Sequence, residues 1–121
     1  MRELKFRVWD TWDKNEGKMY YLDLNDWESQ AEFVEIDFTS EPIFMQYTGL
    51  KDKNGQEIYE KDILRLFNDN DQPLYDIGQV IFEDAVFWVR FKDKRSLELY
   101  IDHDMYKVIG NIYENPELLK K

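Results

Sequence analysis

At 121 residues and 14.8 kDa the chain has the length of one compact domain and too little for two independent cores. Twenty-six Asp and Glu against sixteen Lys and Arg leave a net charge of −10, which repels phosphate and argues against general nucleic-acid binding. The absence of cysteine excludes disulfides, thiolate chemistry and zinc–thiolate sites, one histidine excludes a histidine-rich metal cluster, and 17% aromatic residues are far too many for a disordered chain.

Residues 3–9 alternate, with Leu4, Phe6 and Val8 on one side and Lys5, Arg7 and Trp9 on the other, the period of a half-buried strand. Turn-type residues from Trp12 to Lys18 lead into Met19-Tyr20-Tyr21-Leu22, so the chain is expected to open with a hairpin. Residues 23–32 are polar around Trp27 and read as loop, and residues 32–38 alternate again through Val34, Ile36 and Phe38. Pro42 precedes an apolar stretch at 43–47, and Asn54-Gly55 marks a tight turn within 50–58, since both residues tolerate positive φ. Ile63 to Phe67 reads as a strand and residues 68–76 as a polar loop around Pro73. Further strands are expected at 79–82, 86–91, 97–101 and 106–113, the first two separated by a hairpin spacing. Only the end reads as helical, where Asn115 stands as a cap before Pro116 and Glu117. Strands recurring every ten or so residues, with no helix long enough for a parallel crossover, predict a mainly β, antiparallel barrel or sandwich. The start lacks the apolar core of a signal peptide and the longest apolar run is five residues, Ala85 to Val89, so a soluble cytoplasmic protein is expected.

Three blocks are too particular for a generic β protein. They are Lys5-Phe6-Arg7-Val8-Trp9-Asp10, Met45-Gln46-Tyr47-Thr48-Gly49-Leu50-Lys51-Asp52-Lys53-Asn54-Gly55 with Ile58-Tyr59-Glu60, and Val108-Ile109-Gly110-Asn111-Ile112-Tyr113-Glu114-Asn115-Pro116-Glu117-Leu118. In this order the chain resembles the YopX family of phage and prophage proteins over nearly its whole length. One departure is Lys61, where the family usually carries glycine; it must hold a strained backbone or sit in a turn that needs no positive φ. The resemblance implies one YopX-like domain over 1–121, in which an N-terminal β segment, 1–40, packs on an SH3-like small barrel formed by about 41–115. It implies no catalytic residue.

Candidate chemistry is sparse. Asp102-His103-Asp104 invites a metal or general-base reading, but neighbours on an extended segment point to opposite sides, so a solvated histidine is expected. Asn68-Asp69-Asn70-Asp71 fails as a calcium loop, because counting from Asp69 puts Leu74 where glycine belongs and Val80 where the bidentate glutamate belongs. Ser29, Ser40 and Ser96 sit in no nucleophile-elbow context, and twenty-six acids make any one carboxylate pair uninformative. No catalytic residue, cofactor or metal is therefore expected.

Aromatic surplus is the remaining signal. Strands apolar on both faces belong between layers or at an interface, and a chain this short has little room to hide twenty aromatic rings. The expected interaction surface comprises Trp9, Trp12, Trp27, Phe87, Trp88 and Phe91, serving a protein partner or a second copy of the chain. Two alternatives are an acidic DNA mimic that blocks a host DNA-binding enzyme, and a single-stranded nucleic-acid site built from Lys92, Lys94 and Arg95 beside Phe87, Trp88 and Phe91. Interspersed Lys and Arg weaken the first, and overall acidity weakens the second. Neither nucleic acid nor membrane is the expected partner.

Overall fold

A computed structural model describes residues 3–11, 17–26 and 41–120. The protein is mainly β and antiparallel. Among the described residues nine strands run in order: β1 (Lys5–Asp10), β2 (Lys18–Asp23), β3 (Ile43–Lys51), β4 (Glu57–Tyr59), β5 (Asp62–Phe67), β6 (Pro73–Glu83), β7 (Val86–Phe91), β8 (Ser96–Glu98) and β9 (Tyr106–Asn111). A single helical turn, α1 (Leu99–Asp102), and a 3-10 turn (His103–Met105) lie between β8 and β9, and a second 3-10 turn (Pro116–Leu119) closes the chain. The chain divides into two compact units, Met1–Tyr47 and Thr48–Lys121, so the division falls inside β3. The strand expected at 32–38 lies outside the described residues.

In the first unit β1 pairs with β2 on one side and with the start of β3 on the other. Val8 is fully buried opposite Tyr20 and Phe44, as its alternation predicts. The facing set is not solvated as expected: Arg7 is buried beside Met45, its Nε donating to the thioether Sδ at 3.4 Å, whereas Leu4 is exposed. An arginine can occupy such a place because its apolar stem packs while its guanidinium reaches an acceptor, here the Met45 thioether.

The second unit is built on a five-stranded sheet of order β8-β7-β6-β5-β9, a meander to which β9 returns beside β5. Its core gathers Ile58, Leu64, Val80, Val89, Phe91, Leu99 and Tyr106, with Leu50, Leu66, Phe87 and Val108 packed at its border. The β-rich runs of the sequence supply one inward side chain at every second position, which is why Val80, Val89 and Phe91 converge. Two elements differ from expectation. β6 begins at Pro73, opposite Phe67, shortening the loop to 68–72; a proline is tolerated as the first residue of a strand. The run 97–101 is not one strand: after Glu98 it coils into α1, which buries Leu99 and leaves Tyr100 and Ile101 outside.

One turn design recurs three times. At 52–56, 68–72 and 91–95 the first residue's N–H donates to the carbonyl of the fifth and its carbonyl accepts from the fourth, at 2.9–3.0 Å. The fourth residue is left-handed each time: Gly55 at φ 83, Asp71 at φ 61 and Lys94 at φ 71. This is the three-residue hairpin loop that ends in a residue suited to glycine. Asn54, expected to share the positive φ, instead keeps ordinary φ and donates its N–H to Asp52 Oδ1 at 2.8 Å. Lys61, the departure from the family pattern, is left-handed at φ 69; its N–H donates to the Val80 carbonyl at 2.8 Å and its carbonyl accepts from Ile112 at 3.1 Å.

Candidate interaction surface

The expected aromatic surface is best read from the hairpin of β6 and β7. Glu83 pairs with Val86 across a two-residue turn in which Asp84 and Ala85 both have positive φ, 53° and 64°, the twist that such tight hairpins require. Beyond that turn the ladder places Phe82 directly opposite Phe87 and Ile81 directly opposite Trp88. Each pair lies on its own face of the hairpin. The rings of Phe82 and Phe87 stand 4.8 Å apart at 54°, a tilted stack; Phe87 leans on the core border while Phe82 remains 50% exposed. On the other face Trp88 is half-buried, its indole N–H donating to the Glu83 carbonyl at 3.0 Å. Arg90 follows on that face, donating to Glu83 Oε2 and Ser96 Oγ, each at 3.2 Å.

The other expected surface residues distribute differently. Phe91 is 4% exposed, a core residue with the Arg95 guanidinium 5.0 Å from its ring centre, and so it leaves the candidate surface. Trp9 belongs to the first unit, where its indole lies over Gly17 so closely that an added Cβ would stand 2.2 Å from Cζ2. That glycine, at φ 80, lets the strand entry pass beneath the ring. Trp12 and Trp27 lie outside the described residues. Sequence reading missed Phe82. The signal was its place two residues before a two-residue turn, which sets it opposite Phe87, whereas only a folded core shows that it projects past the packed border.

Polar candidates resolve into structural roles. His103 Nδ1 lies 2.7 Å from the Lys51 carbonyl, which accepts its hydrogen, and the ring sits in a 3-10 turn rather than on a loop. No group of three metal-ligating side chains occurs among the described residues. Asn68 Oδ1 accepts from the N–H groups of Asn70 and Gln72 at 2.9 and 3.0 Å, so the Asn-Asp-Asn-Asp run is a self-satisfied turn. A shallow cavity of about 200 Å³ is lined by Asp76, Ile77, Phe91, Lys92, Asp93 and Arg95. Both of its carboxylates are engaged by Arg95, at 2.8 Å to Asp93 and 3.4 Å to Asp76, and the Arg95 backbone N–H and guanidinium hold the Asp93 carboxyl below its ordinary range.

The motif blocks themselves are hydrogen-bonding devices. Buried Asp52 accepts three backbone N–H groups: Asn54 and Gln56 on Oδ1 at 2.8 and 2.9 Å, and Val108 of β9 on Oδ2 at 2.9 Å. Buried Asp62 accepts from the Tyr59 N–H at 2.8 Å. Asn111 Oδ1 accepts from Tyr113 and Glu114 at 3.0 and 2.9 Å, and its own N–H donates to Asn115 Oδ1 at 3.2 Å. Asn115 thus serves Asn111 and makes no side-chain bond to the 3-10 turn it was expected to cap.

Comparisons with known proteins give the chain a family. A family model described as YopX protein matches residues 5–120. The SPbeta prophage-derived uncharacterized protein YopX of Bacillus subtilis strain 168 is 30% identical over 95% of each chain. Among solved structures, the crystal structure of protein EF1440 from Enterococcus faecalis superposes with a TM-score of 0.57 at 29% identity, covering 97% of this chain and 98% of that one. The X-ray structure of protein yopX from Bacillus subtilis gives a TM-score of 0.55 at 22% identity, covering 97% and 96%, and shares the fold. With a family model matched over almost its whole length, the chain belongs to the YopX family.

Proposed function

We propose that this chain is a protein-interaction module without catalytic activity, and that the aromatic end of the β6–β7 hairpin holds its protein partner. The observation that carries the reading is Phe82, half-exposed and stacked on Phe87, with Trp88 on the opposite face of the same two-stranded end. Aromatic rings held rigid by a strand pair lose little entropy on binding and supply large contact area, the usual character of interface anchors. The turn-forming roles of Asp52, Asp62 and Asn111 support it too, because they account for the family blocks through folding rather than chemistry. An SH3-like frame for the second unit and a place in the host cytoplasm belong to the same reading. Support for the latter is a prophage-derived relative and the fact that, among the described residues, no helix is long and apolar enough to cross a membrane.

Nucleic-acid readings draw less support. A DNA mimic needs unbroken rows of carboxylates, whereas Glu83 is paired with Arg90, Asp76 and Asp93 with Arg95, and Asp71 with Lys53. A single-strand site needs a free stacking platform beside its cations, whereas Phe91 is buried and Arg95 is held by two carboxylates. The test is affinity capture from host and phage lysates with the full chain, its Phe82→Ser variant, and a Leu24→Ser variant of an exposed residue in the first unit. A protein retained by the full chain and by Leu24→Ser but lost with Phe82→Ser is the expected result. A chain that retains nothing, or a partner held equally by Phe82→Ser, overturns the proposal.

A further inference from the structure

We infer that the β8 edge is a self-association surface whose occupant is a second copy of this chain, paired antiparallel about a two-fold axis at Leu97. β8 ends the five-stranded sheet, and among the described residues it is bonded to β7 on one side only. Because the Phe91 N–H donates to the Arg95 carbonyl, the alternation of the antiparallel ladder turns the N–H groups of Ser96 and Glu98 outward, away from β7. A two-fold axis at Leu97 sets Glu98 of one copy opposite Ser96 of the other, so each Glu98 N–H meets a Ser96 carbonyl and the two leucines face each other in the close pairing position.

The surroundings are apolar where such a pair would close. Leu97 is 37%, Tyr100 73% and Ile101 66% exposed, and the three follow one another along the edge and the first turn beyond it. Charge selects the occupant. Before Leu97 stand Lys92 and Lys94, neither paired with a carboxylate among the described residues, and after it come Glu98, Asp102 and Asp104. The segment is cationic at one end and anionic at the other. Two copies running antiparallel lay each cationic end against the other's acidic end, although the whole chain carries −10 and repels its like at a distance. The edge adjoins the hairpin end, where Glu98 stands opposite Trp88 in the ladder, but its variants alter neither Phe82 nor Trp88.

Light scattering behind size-exclusion chromatography tests the inference on the full chain, with circular dichroism confirming that each variant is folded. The full chain is expected at twice 14.8 kDa, and Leu97→Lys at the single mass. Lys92→Glu with Lys94→Glu, and separately Asp102→Lys with Asp104→Lys, are expected to dissociate the pair by setting like charges together. All four changes combined restore opposite polarity and are expected to restore the doubled mass, a rescue that no merely structural role of these side chains produces. A chain that stays at the single mass up to about 1 mM, where even a millimolar Kd leaves much of it paired, overturns the inference. So does a doubled mass that survives Leu97→Lys, a folded fourfold variant that stays single, or a single-mass chain whose β8 edge holds a different protein.

Discussion

Lys61 occupies a left-handed position, φ 69, with both its backbone groups bonded, so the turn cannot relax to suit the side chain. An L-residue there costs about 1–2 kcal/mol relative to the right-handed region, and glycine gives back part of that relief through the greater entropy of its unfolded chain. Lys61→Gly is accordingly expected to stabilise the fold by about 1 kcal/mol in urea denaturation; an unchanged or lowered midpoint would show that the lysine side chain contributes packing that offsets its backbone strain. Ala85, at φ 64 in the two-residue turn, presents the same problem, without a side chain long enough to compensate. Tyr106 is a different kind of misfit. It is fully buried, and its hydroxyl has no hydrogen-bond partner among the described residues. Burial pushes its phenol up to about 12, with the Asp102 carboxylate adding to the shift and Arg95 opposing it. A raised pKa means that the folded state holds the proton longer than the unfolded chain, whose tyrosine titrates near 10. The resulting stability is fully present below pH 10 and lost as pH rises from 10 towards 12. Tyr106→Phe is expected to remove that part of the alkaline loss and, at neutral pH, to stabilise by up to about 1 kcal/mol by deleting an unpaired hydroxyl. If the variant's midpoint declines with pH as steeply as the parent's, Tyr106 is not the group responsible.

At the scale of elements, Asp52 anchors the middle block to its neighbours. It closes the 52–56 turn through Asn54 and Gln56, and through Val108 it also ties that turn to the outer side of β9, beside the Lys53 N–H that donates to the Tyr106 carbonyl at 2.9 Å. One carboxylate therefore fixes a local turn and a long-range edge together. Asp52→Ala leaves three N–H groups without their acceptor and is expected to cost about 3 kcal/mol, since bonds to a charged acceptor are worth roughly 1.5–3 each and do not add fully. Hydrogen exchange at Asn54, Gln56 and Val108 should quicken together; exchange rising at Asn54 and Gln56 alone would confine Asp52 to the turn. Gly110 plays the matching part at the C-terminal block, where an added Cβ would lie 2.6 Å from Asn115 Oδ1. Gly110→Ala should break the Asn111–Asn115 exchange and loosen the closing 3-10 turn, read as faster exchange at Asn111 and Asn115. Much of this architecture was legible beforehand. Period-two alternation located β1, β-rich runs located β5, β7 and the later part of β6, and Asn54-Gly55 located the turn, because those signals are local. What stayed hidden depends on burial. Asp52 reads in sequence as one more acid among twenty-six, and only the fold shows it under β9. Phe91 and Phe82 share one alternating face, yet one reaches the core and the other overshoots it. The break of 97–101 into strand and helical turn was invisible for the same reason: Leu99 is drawn inward by the core, not by any preference of its neighbours.

For the whole molecule the deciding quantity is how a charge of −10 is arranged over a small surface. Two electrostatic effects oppose one another. Ion pairs such as Lys5–Glu3, Arg90–Glu83, Arg95–Asp93 and Lys53–Asp71 attract, but their carboxylates are largely exposed, and exposed pairs contribute about 0–1 kcal/mol each. The ten uncompensated negative charges repel over the full surface. Salt weakens both, since the screening length falls from about 10 Å at 0.1 M to about 3 Å at 1 M, but the two differ in range. Paired groups lie within 2.8–3.4 Å where distances are shortest, so they lose less to screening than acids spaced one Debye length or more apart. Repulsion is therefore the effect that salt removes. Raising sodium chloride from about 0.1 M to about 1 M is expected to increase the urea midpoint, by an amount equivalent to roughly 1 kcal/mol, instead of lowering it as a fold held by surface ion pairs would require. A midpoint that falls with salt would reverse the assignment and make the paired cations the larger electrostatic contribution to this fold.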